Sequence, residues 1–302
     1  MALSTSSIPF LTGIAQHLLE AGGKRYRPLL AQVAAEIGGA PGDGPVAAGV
    51  AVELVHLGSL YHDDVIDEAP SRRGAVSVNA NWSNTVAILA GDFLLARASE
   101  TAASLGIEAV TLLARTYADL CEGQIMELQL AGDTEQGTAG YFRVVALKTA
   151  ALIRTSARLG AMAGGAPPDQ VDAASRWARE VGMAFQIVDD VLDYRSNQQE
   201  FGKTIGKDIC EGSLTLPVIL ALESCTPEDR KRLSGMLADS ALRAQHLDDI
   251  LVLVDRYDGT RRALETAGCF AREASDALGV FSGREHVWIL SELAQYVVRR
   301  RS

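Results

Sequence analysis

The sequence predicts an all-α fold, and three observations support this prediction. The 302 residues include only nine prolines, and 48% of them are hydrophobic, many in long stretches rich in alanine and leucine. The alternation of apolar and polar residues that is typical of strands is absent, so no βαβ unit is expected. No break is long or polar enough to be a domain linker. We therefore predict a single domain, residues 1–302, with about ten or more helices.

Breaks rich in glycine and proline divide the chain into helices. Five segments have room for several helical turns: residues 46–66, 84–104, 107–130, 139–163 and 169–195. Four further segments are predicted to be loops: residues 38–44, 131–137, 164–169 and 196–213. The sequence TPED is typical of a helix N-terminus, with Thr226 as the N-cap and Pro227 at the first helical position.

Composition excludes several classes of protein. A net charge of −10 argues against a nucleic-acid-binding protein, which would carry a basic surface. The four cysteines form no CxxC pair and are typical of free thiols in a reducing cytoplasm. The N-terminal residues lack the features of a signal peptide. The most apolar segment, Val46–Tyr61, is shorter than the roughly 20 residues of a membrane span. We therefore expect a buried core helix there, no transmembrane segment, and a cytoplasmic location.

Two of the long apolar segments end in the same acidic pattern, Asp-Asp-x-x-Asp. Its six members are Asp63, Asp64, Asp67, Asp189, Asp190 and Asp193. Residues i and i+4 of a helix lie on one face, about 6 Å apart along the axis. The first and third aspartates of each motif are therefore expected to project together, and the two pairs could face each other across a cavity.

Carboxylates this close repel each other unless a cation lies among them. Mg²⁺ prefers oxygen ligands and is commonly held by one or two carboxylates together with substrate phosphates. The two motifs thus predict Mg²⁺ bound jointly with a phosphorylated substrate. The alternative is a solvated acidic helix end. It is a serious alternative for one such motif and a weak one for two copies that each follow a long apolar helix.

Four basic motifs accompany the acidic ones. They are GGKRYRP (22–28), RRG (72–74), LKTAAL (147–152) and FGKTIGKD (201–208). Each places lysine or arginine beside glycine, threonine or a helix start, which suits phosphate binding through side-chain charge and exposed backbone N–H groups. A solvated surface cation is the better explanation for any single motif. Together with the aspartates they predict a diphosphate site.

The ordered set of these motifs, with FQIVDDVLD at residues 185–193, resembles the all-trans polyprenyl (isoprenyl) diphosphate synthases of the medium- and long-chain type. The resemblance extends from Gly22 to about Pro217. It implies a homodimer whose subunit is a bundle of long antiparallel helices around a deep central cavity. It also implies the head-to-tail condensation of isopentenyl diphosphate with an allylic diphosphate, either farnesyl or geranylgeranyl diphosphate. The cofactor would be Mg²⁺, about three ions per active site, with Mn²⁺ as a substitute.

The resemblance also assigns roles to individual residues. All six aspartates become catalytic, and Asp63, Asp67, Asp189 and Asp193 become metal ligands. The allylic diphosphate would contact Arg72, Lys148, Thr149, Gln186 and Lys203, of which the two lysines are also catalytic. Isopentenyl diphosphate would contact Lys24, Arg27, His56 and Arg73. A lone histidine on an apolar helix is more often a core residue. His56, however, lies seven residues before Asp63, about two turns along the same face.

Product length is expected to depend on the residues just before the first motif, namely Gly58, Ser59 and Val55. Short-chain members of the family often carry an aromatic floor five residues before the first aspartate, where this chain has Gly58. An open tunnel at that level favours products of about six to ten isoprene units, C30–C50, which could be passed to membrane enzymes. The alternative is that Gly58 is small only to allow close helix packing.

Other functions remain open from the sequence. A shorter-chain farnesyl or geranylgeranyl diphosphate synthase shares the same motifs. A class I terpene cyclase shares the metal-triggered ionisation but needs no isopentenyl diphosphate site. A non-catalytic partner subunit of a two-component synthase usually lacks the aspartates, all six of which are present here.

Overall fold

A computed structural model describes residues 4–38, 42–195, 205–281 and 287–300. The helices of the first half are α1 (Pro9–Glu20), α2 (Tyr26–Gly38), α3 (Asp43–Ile66), α4 (Val78–Asn81), α5 (Asn84–Ala103), α6 (Ile107–Leu130), α7 (Gly137–Val145) and α8 (Ala151–Ala163). Those that follow are α9 (Pro168–Arg195), α10 (Lys207–Glu211), α11 (Leu216–Ser224), α12 (Pro227–Leu237), α13 (Ser240–Gln245), α14 (Leu247–Arg256), α15 (Gly259–Ala277) and α16 (Val287–Arg299).

The all-α prediction is confirmed. In the described ranges the only strands are β1 (Ser71–Arg72) and β2 (Ala75–Val76), which pair antiparallel as a small hairpin. All five long predicted helices are present, with ends within a few residues of those expected. The predicted N-cap is also confirmed, because the amide of Asp229 donates to Oγ1 of Thr226 at 3.2 Å. Part of the predicted loop 196–213 lies outside the described residues, and its remainder contains α10.

The chain forms two compact units. Unit 1 comprises residues 1–117 and 155–174, and unit 2 comprises residues 118–154 and 175–302. The single domain and the central cavity remain predictions.

In unit 1, α3 packs against α2 and α5 through small residues. A Cβ on Gly49 would lie 3.1 Å from Cα of Pro28 on α2. Tyr61, fully buried on α3, donates from its hydroxyl to the carbonyl oxygen of Ile14 at 2.7 Å, which ties α1 to the same core. These contacts fix the end of α3, where the first aspartate motif begins.

In unit 2, the short helix α11 is buried along most of its length and packs against α15 and α7. A Cβ on Gly259 would lie only 2.3 Å from the carbonyl oxygen of Pro217, so the start of α15 requires glycine for this close approach. The apolar sequence of α11 therefore forms part of the core of this unit.

Helix α3 is the one described helix that is long and apolar enough to cross a membrane by length and composition. Its 24 residues exceed the apolar segment Val46–Tyr61 that the sequence suggested. In its most apolar window, 61% of the residues are buried inside the protein. This burial is what the prediction of a core helix requires.

A π-helical turn, Ala146–Ala150, joins α7 to α8 in one continuous helix. Such turns are rare and often mark functional sites. This one contains Lys148 and Thr149 of the LKTAAL motif. Helix α6 approaches it closely, since a Cβ on Gly123 would lie 2.7 Å from the amide nitrogen of Lys148.

Candidate functional site

The first aspartate motif lies at the carboxyl end of α3. Asp64 is fully buried, and its Oδ1 accepts from Nε of Arg72 at 2.7 Å and contacts Nη2 of Arg72 at 2.6 Å. Burial raises the pKa of Asp64, and the guanidinium of Arg72 opposes that rise. Asp63 is half-buried and Asp67 is exposed. The middle aspartate therefore anchors the β-hairpin that carries Arg72.

Arg73 lies in the turn of the β-hairpin, directly after Arg72. Arg73 has a positive φ of 54°. Its Nη1 donates to the carbonyl oxygens of Gly22 at 2.6 Å and Leu18 at 3.2 Å. Its Nη2 lies 3.5 Å from Nε2 of His56. The guanidinium is thus held by the end of α1 and the loop after it.

The residues around His56 carry more positive than negative charge. Arg25 forms an ion pair with Glu53 at 2.7 Å, and Arg72 forms the one with Asp64. Neither Arg27 nor Arg73 forms an ion pair in the part of the chain that the structure describes. Burial lowers the pKa of Arg27 to about 10.

His56 is neutral at neutral pH. Its pKa is well below the usual value, first because of burial and then because of the charges of Arg27 and Arg73. A cluster with four guanidinium groups, two carboxylates and a neutral imidazole favours an anion. Three of the predicted ligands of isopentenyl diphosphate, Arg27, His56 and Arg73, therefore come together, whereas Lys24 is exposed.

The second aspartate motif lies near the carboxyl end of α9. Its middle member, Asp190, is also buried, but its partners are neutral. Tyr141 on α7 donates to Oδ2 of Asp190 at 2.5 Å, and Nε2 of Gln186 donates to Oδ1 at 2.8 Å. Oε1 of Gln186 in turn accepts from Oγ1 of Thr149 at 2.8 Å. Burial raises the pKa of Asp190 to about 8. Two predicted diphosphate ligands, Thr149 and Gln186, are thus joined to this carboxyl.

The outer members of the second motif have partners of a different kind. Oδ1 of Asp189, on an exposed side chain, lies 2.9 Å from Nη2 of Arg300. The two oxygens of Asp193 each accept at 3.2 Å from a backbone amide, those of Lys207 and Asp208. Burial raises the pKa of Asp193, and the pKa of Asp208 is raised to about 7 by burial and by the nearby charge of Asp193.

Of the two predicted catalytic lysines, Lys148 lies within the described residues. Lys148 forms an ion pair with Glu127 on α6, within unit 2. Lys203 lies outside the described residues. Lys148 thus has a counter-ion already, which a diphosphate would have to replace.

The carboxylates fit a hard divalent cation. In the described ranges, no three His, Cys, Asp or Glu side chains are arranged to hold a metal ion. The available donors are carboxylate oxygens, and the negative charge of Asp193 contributes to the raised pKa of Asp208. A nearby cation would remove that repulsion. Such a donor set suits Mg²⁺ that keeps several waters and shares substrate phosphates, rather than a closed protein cage.

The three residues predicted to set product length differ in their burial and contacts. A Cβ on Gly58 would lie 3.0 Å from the carbonyl oxygen of Gly91 and 3.1 Å from Cγ of Leu95, both on α5. The structure therefore favours close helix packing over an open tunnel as the reason for Gly58. Val55 is buried, whereas Ser59 is half-buried, and its Oγ donates to the carbonyl oxygen of His56 at 2.9 Å.

Sequence reasoning missed several residues of these clusters. Arg25 and Asp208 lie inside quoted motifs, GGKRYRP and GKTIGKD, and could have been found there. Tyr141, Glu127 and Arg300 carry no local signal, because each meets its partner only through the fold.

Three comparisons relate the chain to known proteins. It matches the sequence model described as polyprenyl synthetase over residues 8–254. It is 42% identical over 285 residues to the nonaprenyl diphosphate synthase of Mycobacterium tuberculosis, a match that covers 94% of this chain and 85% of that protein. Its structure is similar to that of a decaprenyl diphosphate synthase from Rhodobacter capsulatus, with a TM-score of 0.93, 34% identity, and coverage of 100% of this chain and 93% of that one. It is also similar to a geranylgeranyl pyrophosphate synthase from Corynebacterium glutamicum complexed with calcium and isoprenyl diphosphate, with a TM-score of 0.85, 38% identity, and coverage of 100% and 92%.

Proposed function

The chain belongs to the polyprenyl synthetase family, and we propose that it is a Mg²⁺-dependent prenyltransferase. It condenses isopentenyl diphosphate head-to-tail onto an allylic diphosphate, either farnesyl or geranylgeranyl diphosphate. The product is a medium- or long-chain all-trans polyprenyl diphosphate of about C30–C50, and diphosphate is released. The product length follows the resemblance of the motifs and the nonaprenyl and decaprenyl relatives.

The arginine cluster around His56 is the observation that carries this proposal. Two of its four guanidinium groups, on Arg27 and Arg73, form no ion pair among the described residues, and burial lowers the pKa values of both. An anion with several oxygens would relieve the mutual repulsion and accept bidentate hydrogen bonds. Isopentenyl diphosphate, held by Arg27, His56, Arg73 and Lys24, has that chemistry.

The allylic diphosphate is assigned to Arg72, Lys148, Thr149, Gln186 and Lys203. Thr149 and Gln186 are held in place by the hydrogen-bond chain that ends at Asp190. Asp63, Asp67, Asp189 and Asp193 would hold the Mg²⁺ ions, about three per site, and Mn²⁺ would substitute. When bound, Mg²⁺ neutralises negative charge on the departing diphosphate.

The positively charged side chains assist the reaction by stabilising the departing group. Arg72, Lys148 and Lys203 would stabilise diphosphate as the allylic C–O bond breaks and leaves an allylic carbocation. The C=C bond of isopentenyl diphosphate attacks this carbon, a new C–C bond forms, and a proton is lost to the released diphosphate. Apolar surroundings keep water away from the allylic carbocation.

Product length is assigned to the half-buried face of α3 that contains Ser59, together with residues deeper in the fold. A homodimer and a cytoplasmic location complete the proposal. Both follow from the resemblance and from the expectations of the sequence.

The test is a product assay with the purified full chain. Isopentenyl diphosphate, Mg²⁺ and either farnesyl or geranylgeranyl diphosphate are supplied, and products are sized by chromatography. We expect chains of about C30–C50 that disappear when the metal is chelated. Products of C15–C20 would indicate a shorter-chain synthase. Product without isopentenyl diphosphate would indicate a cyclase, and no product at all would indicate a partner subunit.

A further inference from the structure

We propose that Arg300 is a metal-sensitive clamp on the second aspartate motif. It holds Asp189 when no divalent metal is bound there, and it is released when metal binds. This inference rests on the proposed function, because that function makes Asp189 a metal ligand. Arg300 is a positioning residue that acts through Asp189.

Three contacts hold the guanidinium of Arg300 on one face of α9. Its Cζ lies 4.0 Å from the centroid of the Phe185 ring, in a cation–π arrangement. Its Nη2 donates to the carbonyl oxygen of Phe185 at 3.0 Å and to Oδ1 of Asp189 at 2.9 Å. Because Phe185 and Asp189 are four residues apart, they lie on the same face of the helix. Arg300 therefore spans one turn of α9 that ends at Asp189.

Burial as well as charge holds Arg300 in this position. The side chain of Arg300 is only 10% exposed, whereas that of Asp189 is 56% exposed. An exposed ion pair alone would contribute little. Here the ring of Phe185 covers the guanidinium, and the amide of Arg300 donates to the carbonyl oxygen of Tyr296 at 3.0 Å, which ties the residue to the end of α16.

A divalent cation and this guanidinium compete for the same carboxylate. Both are positive, and their repulsion at a few ångströms disfavours joint occupancy of Asp189. Metal binding and clamp release are therefore coupled. By thermodynamic reciprocity, the factor by which the Arg300–Asp189 contact weakens metal binding equals the factor by which bound metal weakens that contact. In the absence of metal, the charge of the Asp189 carboxylate is thus balanced by the guanidinium of Arg300.

The experiment measures metal binding without turnover. Mn²⁺ is titrated into the full chain, and free Mn²⁺ is followed by electron paramagnetic resonance. We expect Arg300→Gln to bind Mn²⁺ at one site about fivefold more tightly than the wild type. Arg300→Lys, which keeps the charge but loses the planar stack, should lie between them. The matched control is Arg299→Gln, one residue earlier and exposed, which should leave the affinity unchanged.

A second readout follows the clamp itself. Hydrogen exchange at the end of α16 should become faster in the wild type when Mg²⁺ is added, and should be fast in Arg300→Gln with or without it. Affinities that are equal in wild type and Arg300→Gln, or weaker in the variant, would overturn the clamp. Circular dichroism establishes that each variant is folded.

An Asp189→Asn variant separates the clamp from the function on which it rests. If this change leaves Mn²⁺ binding intact, the metal role of Asp189 is lost and the clamp with it. If it weakens binding while Arg300→Gln matches the wild type, the clamp alone is rejected and the proposed function stands.

Discussion

The two aspartate motifs share a sequence and an arrangement, but their buried carboxylates have opposite kinds of partner. In each motif the middle aspartate is buried, at the carboxyl-terminal part of a long helix. Asp64 meets the cation Arg72, whereas Asp190 meets the neutral groups of Tyr141 and Gln186.

This difference shows that one pattern can perform two structural tasks. The ion pair of Asp64 holds the hairpin that carries Arg72 and Arg73, so the first motif organises cations. The hydrogen bonds of Asp190 hold Gln186 and, through it, Thr149, so the second motif organises neutral donors. In both, the outer aspartates are more accessible than the middle one, and these are the residues assigned to metal.

The largest effect is expected from the outer aspartates. Asp63→Ala and Asp189→Ala should each lower the rate of product formation by at least about 100-fold, because each removes a proposed metal ligand. Each variant should remain folded, since neither side chain is buried. Asp276→Ala, an exposed change on α15, is the control for loss of a surface charge. Near-normal turnover in either variant would contradict the metal assignment.

Replacement of the two middle aspartates should lower the free energy of unfolding by different amounts. Asp64→Asn leaves Arg72 without its counter-ion and should lower the free energy of unfolding by about 2 kcal/mol, below the range for fully buried pairs because Arg72 is partly exposed. Asp190→Asn keeps a neutral group of the same shape and should cost less than about 1 kcal/mol. Urea denaturation at pH 7 measures both, and equal costs would remove the distinction between the motifs.

The raised pKa of Asp190 should make the free energy of unfolding depend on pH. Its pKa in the folded protein is about 8, above the ordinary value of 3.8. The folded state therefore keeps this proton over a range in which the unfolded chain has lost it. The free energy of unfolding should fall as pH rises from about 4 to about 8, by at most about 1.4 kcal/mol per pH unit.

Asp190→Asn should remove this part of the pH dependence. The measurement is the difference in unfolding free energy between wild type and variant at pH 5.5 and pH 7.5. A difference that does not grow more favourable to the variant at the higher pH would show that Asp190 ionises normally.

The smallest effects are expected just before the motifs. The residue four positions before the first aspartate is Ser59 in one motif and Phe185 in the other. Ser59→Phe should shorten the product by one or more isoprene units, because it places a large ring on the half-buried face of α3. Gly58→Ala should instead lower stability by about 1 kcal/mol through its contacts with Gly91 and Leu95. Product sizing and urea denaturation distinguish the two, and an unchanged product in Ser59→Phe would place the limit elsewhere.

Much of the site was predictable because its signals are local. Both aspartate motifs follow apolar helices, and the fixed pitch of a helix sets which side chains share a face. The basic motifs indicated Arg27 and Arg73, and the spacing from Asp63 indicated His56. The structure brings the three residues into one cluster. Gly58 was less predictable, since small size suits both a tunnel and a helix contact, and only the position of Gly91 distinguishes them.

The sequence by itself determined the five long helices, to within a few residues at their ends, and indicated the residue types proposed to meet a diphosphate and a divalent metal. Breakers, caps and periodicity act within a few residues, so they can be read along the chain. Only the tertiary structure decided which partner each carboxylate receives. Tyr141 is 49 residues from Asp190, and Arg300 is 111 residues from Asp189. Burial and electrostatic pairing depend on distance in space, and for that reason two identical motifs acquired different chemistry.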